Sequence, residues 1–281
     1  MDDFSTIEIA ASDWRCSIAP ELGGAITRLR WRQSDIFRPA ETLSSLAADP
    51  RAAACYFCIP WFGRLSGELD RADSRYAIAL TCPVAEPDYP LHGHGWVTPW
   101  NVAEIAPAAA ELSFKHRPSP NKFPWAFTGG LRFRASSEAF EIELSIRNSD
   151  NDPMPFGLGI HPFFPRTADT RLKLNAKRCW RPPDGPLTTT PPELTFDEER
   201  PLPQRSVDET LCACAPIATI TQRSCEITVS SMAVHKHLFA PADDEYFCLE
   251  PITQLPGKFG ADRLAPGERQ SIRMRVAVTA R

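Results

Sequence analysis

Apolar and polar residues alternate along much of the chain. The pattern is clearest from Ala139 to Asn148, where Phe140, Ile142, Leu144 and Ile146 take turns with Glu141, Glu143, Ser145 and Arg147. Successive side chains of a strand point to opposite faces, so this spacing predicts a half-buried antiparallel strand. Gln270 to Val278 reads the same way, with Ile272, Met274, Val276 and Val278 on one face and Arg273 and Arg275 on the other. Weaker versions occur at Trp14 to Ala19, Ile26 to Trp31, Arg75 to Leu80, Glu111 to His116, Leu131 to Ala135, Arg171 to Leu174, Cys225 to Ser230 and Ala233 to Phe239. One helix competes with them. It is the alanine-rich Ala40 to Ala48, which stops before Asp49-Pro50, a pair that disfavours helix continuation.

The 28 prolines are about twice average usage. They gather between the alternating runs, so turns and long connections separate the strands. Trp180 to Pro203 reads as the most loop-like stretch, and no internal repeat is visible. Many short strands with proline-rich turns predict an all-β protein, a large antiparallel β-sandwich or barrel. A chain of 281 residues suits one such domain, spanning 1–281.

Composition narrows the partners. A net charge of −4 and a sequence pI near 5.9 supply no cluster of positive charge for nucleic acid or an anionic membrane. The N-terminal MDDFSTIEIA is acidic where a secretory signal is basic, and no apolar run reaches the ~20 residues of a membrane span. The expectation is a cytoplasmic protein. Its nine cysteines then read as small core residues. Cys55 and Cys58 form a C-x-x-C, but three residues apart on a strand they face opposite ways. Cys212 and Cys214 share a face without a second pair at zinc-site spacing.

Candidate chemistry concentrates in a few stretches. Tyr89 to Trp100, YPLHGHGWVTPW, holds two histidines, two glycines and two tryptophans and no acidic residue, lysine or arginine. Imidazoles offer neutral donors and acceptors, indoles flat apolar faces, and glycines close backbone approach, which together suit a pocket wall for an uncharged polar molecule. His161 stands in PFGLGIHPFFP, where the following proline ends the ladder and favours display of the imidazole. Glu250, after Phe247, Cys248 and Leu249, is costly to bury unless it is bonded or used, and partial burial raises its pKa toward a useful general base. Arg64, in WFGRLSGE, is placed to reach a sugar hydroxyl or a carboxylate. His235 and His237 share one strand face, read here as solvated, as is the face carrying Arg28, Arg30 and Arg32.

In their order, PELGGAITRLRW, FGRLSGE at Arg64, LHGHGW at His92, GLGIHPFF at His161, FCLEPIT at Glu250 and the terminal LAPGE resemble the aldose 1-epimerase (galactose mutarotase-like) family, in the form of a bacterial subgroup with an HGHGW motif. The resemblance implies a β-sandwich of the galactose mutarotase type with a sugar in an open cleft and no metal or organic cofactor. It implies Glu250 as general base, His161 as general acid, His92 as a second imidazole near the ring oxygen, and Arg64 as a sugar-binding arginine. Asp208, in SVDETLCA, is the candidate for the family's sugar-binding aspartate. Trp96 is expected to wall a sugar face, and His94 to touch the sugar or a residue that does. One departure is Gly63, where the family commonly has asparagine. The residue types suit anomer interconversion, in which the C1 hydroxyl loses a proton while the ring oxygen gains one. The alternatives are a non-catalytic carbohydrate-binding protein, a metal site built on His92-x-His94, and a mutarotase that holds a phosphorylated sugar on its arginine-rich strand.

Overall fold

The 15-residue strand Val207–Thr221 joins the two halves of the protein. Its first half pairs with His235–Ala240 and its second half with Cys225–Ser230, both antiparallel. Ala213, left-handed at φ 51°, lies where the partner changes. On the strand's other side a register shift opposite, between Leu174 and Ala176, adds to the bend. The computed structural model describes residues 4–65, 68–71, 74–77, 90–181 and 186–281. Among these, 18 strands connect into one antiparallel network, with two separate two-stranded ribbons.

One layer runs from Val207–Thr221 through Cys225–Ser230, Arg269–Ala280, Phe140–Asn148, Phe127–Ala135 and Ala109–His116 to the edge strand Asn101–Ala106. The other runs through His235–Ala240, Tyr246–Ile252, Gly159–Pro165, Cys55–Cys58, Ala25–Trp31 and Trp14–Ala19 to Ile7–Ala11. The result is a β-sandwich, and its main core is the apolar alternation seen in the sequence. Phe140, Ile142, Leu144 and Ile146 are all buried, each worth about 1.5–3 kcal/mol over exposure. The other face of that strand is less open than alternation suggests, because Arg269 and Arg273 reach across to Glu143 at 3.0 and 2.6 Å.

Cys55–Cys58, Gly159–Pro165 and Tyr246–Ile252 are near-continuous apolar runs because both of their faces are covered. Phe57, Ile160, Phe164 and Leu249 face the main core, whereas Tyr56, Cys58, Phe163, Cys248 and Ile252 build a second, smaller cluster on the far side. Cys55 and Cys58 fall in different clusters. The second cluster is the foundation of the site.

The expected helix is Leu43–Ala48, shorter than its alanine-rich stretch because Thr42 caps it, accepting from the Ser45 amide at 3.0 Å. The stretch read as loop, Trp180 to Pro203, contains the strands Leu187–Thr189 and Phe196–Pro201, which pair with Arg171–Trp180. Buried Leu194 and Phe196 anchor it, so a few apolar residues outweigh the prolines. Of the strand expected at Arg75 to Leu80, residues 75–77 lie in Ser74–Ala77, paired with Glu68–Arg71. Positions 78–80, like Tyr89 and the Ser66-Gly67 pair after Arg64, fall outside the described residues. No helix among the described residues is long and apolar enough to cross a membrane.

Candidate active site

Strand register assembles the site. Gly159 lies opposite Ile252 and Phe163 opposite Cys248, which sets His161 beside Glu250. His237 lies opposite Glu250, Tyr56 opposite His161, and Thr210 opposite His237. Directly opposed residues share a face about 4.5–5.5 Å apart, so Thr210, His237, Glu250, His161 and Tyr56 form one row across five neighbouring strands. From His237 to Tyr56 the row floors a cavity of about 470 Å³, with Arg38, Phe62, His92, Asp208 and Tyr246 among its walls. That volume suits a small ligand.

Glu250 is fully buried, and His161 Nε2 stands 3.3 Å from its Oε1. The two are not aligned for a hydrogen bond, and neither carboxylate oxygen has another partner among the described residues. Burial pushes Glu250 well above the ordinary carboxylate range, and the negative charge of Asp208 adds to this. Burial also pushes His161 well below the usual imidazole value, helped by His92 and His237. Tyr56 and Phe163 stack on the His161 ring at 4.2 and 4.9 Å and hold its plane.

His92 arrives on a loop folded against the end of Cys55–Cys58. Its backbone is left-handed at φ 54°, as is that of Gly93 at φ 76°, a conformation that a side-chain-bearing residue adopts only at a cost of about 1–3 kcal/mol. The His92 amide donates to Gly63 O at 2.9 Å, and the His94 and Gly95 amides donate to Ile59 O at 2.8 and 3.1 Å. In return the Gly63 amide donates to His92 Nδ1 at 3.1 Å, and Cys58 Sγ lies 3.2 Å from the same atom. A ring nitrogen that accepts carries no proton, so the neutral imidazole bears its N–H on Nε2. Burial, reinforced by His237 and Arg64, holds the His92 pKa down at about 3, so the ring is neutral. Gly63 itself is left-handed at φ 73°. An added Cβ at this position would come within 3.2 Å of Pro256, and the Gly63 amide fixes the His92 tautomer.

Asp208 Oδ1 sits 3.0 Å from His237 Nε2, and Thr210 Oγ1 lies 2.9 Å from His237 Nδ1. The hydrogen bond from His237 holds Asp208 below the usual carboxylate range despite its partial burial. Arg64 faces Asp208 at 3.8 Å, both half exposed at the cavity mouth.

Five of the expected site residues therefore converge on one cavity: Glu250, His161, His92, Arg64 and Asp208. Two others do not line it. Trp96 is buried behind Tyr56 and His92, at 5.0 and 5.4 Å between ring centres, with its indole N–H on Gly93 O. It stands behind Tyr56 on the floor and His92 on the wall. His94 stacks on His116 at 5.0 Å, and its Nε2 accepts the Phe123 amide at 3.2 Å. That separation of His94 from His92 removes the His92-x-His94 metal site.

His237 corrects the reading of a solvated face. His235 and His237 do share a face, but at His237 that face meets the cavity. Alternation identifies a face without saying what covers it, and Glu250 opposite the imidazole is visible only once the strand register is known. Arg28, Arg30 and Arg32 lie outside the cavity, tied to Asp35, Gln33 and Asp13. Arg38, Tyr56 and Phe163 carried no sequence signal, since each sits in an ordinary apolar or proline-rich context. One group of potential metal donors occurs among the described residues, His161, Cys248 and Glu250, with donor atoms within 4.8 Å of one another. Burial pushes the Cys248 thiol far up, which keeps it protonated and works against ligation.

A family model described as aldose 1-epimerase matches residues 5–254. The uncharacterized protein YphB of Escherichia coli K12 is 28% identical over 279 residues, covering 91% of this chain and 93% of its own. Among solved structures, a proposed aldose 1-epimerase of Escherichia coli K12 superposes with TM-score 0.86 at 23% identity, covering 99% of this chain and 100% of its own. The GalM/aldose epimerase homologue from C. elegans superposes with TM-score 0.85 at 15% identity, covering 99% of each chain. These likenesses establish a galactose mutarotase-like fold.

Proposed function

On the premise that this chain belongs to the aldose 1-epimerase family, we propose that it is a cofactor-independent mutarotase, interconverting the α and β anomers of an aldose with a free anomeric centre. The observation that carries this reading is the juxtaposition of Glu250 and His161 at 3.3 Å on a cavity floor, with the Nε2–H of His92 close by. We read residues 1–281 as one domain acting on a small sugar.

Glu250 and His161 hold one exchangeable proton between them, as carboxyl and imidazole or as carboxylate and imidazolium. Burial of both favours the uncharged pair while the cavity is empty. In ring opening, the partner without the proton takes the O1 hydrogen while the other protonates the ring oxygen. The C1–O5 bond breaks and a C1 carbonyl forms. Rotation about C1–C2 presents the other carbonyl face, and closure returns both protons by the reverse transfers. The pair ends as it began. In the assignment that follows the family, the pair acts in its carboxylate–imidazolium form, which sugar hydroxyls favour by taking the place of water, with Glu250 the base and His161 the acid for opening and the roles exchanged for closure. His92 donates from Nε2 to the developing oxyanion. Arg64 and the Asp208–His237 pair bind the hydroxyls at the cavity mouth.

Polarimetry or NMR of freshly dissolved pure anomers tests this reading. Equilibration of at least one hexose, pentose, deoxysugar or acidic sugar faster than in buffer is the expected outcome. A panel in which every sugar equilibrates at the buffer rate overturns the catalytic claim.

A further inference from the structure

The cavity contains a cation that takes no part in the acid–base chemistry. Arg38 lines it, with its guanidinium carbon 4.2 Å from the centre of the Phe163 ring and 4.6 Å from that of Tyr246. One terminal nitrogen, Nη2, donates to the carbonyls of Arg51 and Ala53 at 2.7 and 3.0 Å. Two rings and two carbonyls thus fix the position of the head group. The remaining nitrogens, Nε and Nη1, carry three N–H groups with no protein acceptor among the described residues, and neither atom is fully buried. The other cavity arginines face carboxylates, Arg51 that of Asp49 at 3.0 Å and Arg64 that of Asp208 at 3.8 Å. Arg38 has no carboxylate partner among the described residues.

Its position relative to the reacting groups matters. Phe163 is stacked on His161 at 4.9 Å and bears Arg38 on its own ring. The guanidinium therefore stands about one aromatic ring from the acid–base pair, and the register row Asp208, Phe239, Cys248, Phe163 sets its ring partner three strands away from Asp208. A pyranose whose anomeric carbon lies over His161 and Glu250 can extend one exocyclic substituent to Arg38. An ordered guanidinium with unspent donors and no counter-charge matches an oxyanion.

We propose that Arg38 determines substrate specificity, and that the sugar turned over here carries an oxyanion, a carboxylate or a phosphate, on the substituent directed away from its anomeric centre. This inference rests on the mutarotase reading and deepens it.

The test compares anomer equilibration of galacturonate and glucuronate, of galactose 6-phosphate and glucose 6-phosphate, and of galactose and glucose, in wild type, Arg38→Gln and Arg38→Lys. Isothermal titration of the same six sugars runs beside it. In wild type, kcat/KM for at least one anionic sugar should exceed that of its neutral parent by about 100-fold, on the scale of a charge-assisted recognition contact. The preferred anion then identifies the group as carboxylate or phosphate. In Arg38→Gln the ratio of anionic to neutral kcat/KM should fall by at least about 30-fold, mostly through KM, with a smaller fall in Arg38→Lys, which keeps charge without the planar head. A neutral hexose used as well as both anionic classes overturns the inference and leaves the mutarotase reading intact. So does an equal loss for both classes in both variants, the result expected if Arg38 only clamps the Arg51 and Ala53 carbonyls. If no sugar equilibrates but anionic sugars bind and Arg38→Lys weakens them selectively, the mutarotase reading fails and anion recognition stands. If none equilibrates and none binds, both fail.

Discussion

Glu250 shows how position decides what a side chain does. A carboxylate with no hydrogen bond, fully out of water, costs several kcal/mol to keep ionised, and the protein spends that stability beside an imidazole. Replacing it by glutamine keeps the shape and removes the exchangeable proton. Glu250→Gln should therefore reduce anomerisation about 10²–10⁴-fold while the unfolding midpoint holds or rises, and His161→Asn should lose activity similarly. Polarimetry and urea unfolding on the same preparations check both, and full activity in either variant would sink the assigned roles. Glu250, His161 and His92 were legible as residues because an acid or imidazole in an apolar run invites a question. His237 was misread because alternation is indifferent to whether a face meets water or a cavity, and Arg38 was not visible because its meaning lies in partners far along the chain.

At the level of elements, the loop that carries His92 depends on two left-handed residues held against the end of Cys55–Cys58. A Cβ on Gly93 would lie 2.0 Å from Ile59 O, a backbone atom that cannot swing aside. Gly93→Ala should destabilise the protein by about 2–4 kcal/mol and disturb the His92 position, lowering kcat beyond what the stability loss explains. Gly267 is a control. It is left-handed at φ 79° with nothing near its missing Cβ, so Gly267→Ala should cost only about 1 kcal/mol. Urea unfolding of both variants decides, and equal effects would remove the special role of the Gly93 contact. The strands of the main core were legible from period two, since one of their faces is open and the other closed. The strands bearing His161 and Glu250 were harder to delimit, because with both faces covered they lack alternation.

For the whole molecule, buried imidazoles tie stability to pH, His92 and His94 among them. Burial holds His92 and His94 at about 3, and His94 Nε2 can accept the Phe123 amide only while unprotonated. Below about pH 6.5 the unfolded chain takes up protons that the folded chain refuses, so each ring's contribution is complete above that value. It is lost as pH falls toward 3, at up to about 1.4 kcal/mol per pH unit per imidazole. Glu250 has the opposite sign, its raised pKa making its contribution greatest at low pH and declining as pH rises. Wild type and His94→Gln share Glu250, so their difference isolates the imidazole. Between pH 7 and 4 the variant should lose stability less steeply, as read from urea midpoints, and parallel slopes would refute the assignment.

The sequence by itself determined the all-β class, the antiparallel pairing and the family resemblance, and it singled out five side chains that line the cavity. These are properties of local spacing and residue type, and they survive without knowledge of neighbours. Only the tertiary structure decided which face of each strand meets the cavity, that Trp96 and His94 stand behind the wall, that His237 belongs with Asp208, and that Arg38 lies against Phe163 near the acid–base pair. Such facts depend on contacts between segments apart in the chain, 29 residues for Asp208 and His237 and 125 for Arg38 and Phe163. Register is set by the packing of both layers at once, and no short stretch of the chain encodes it.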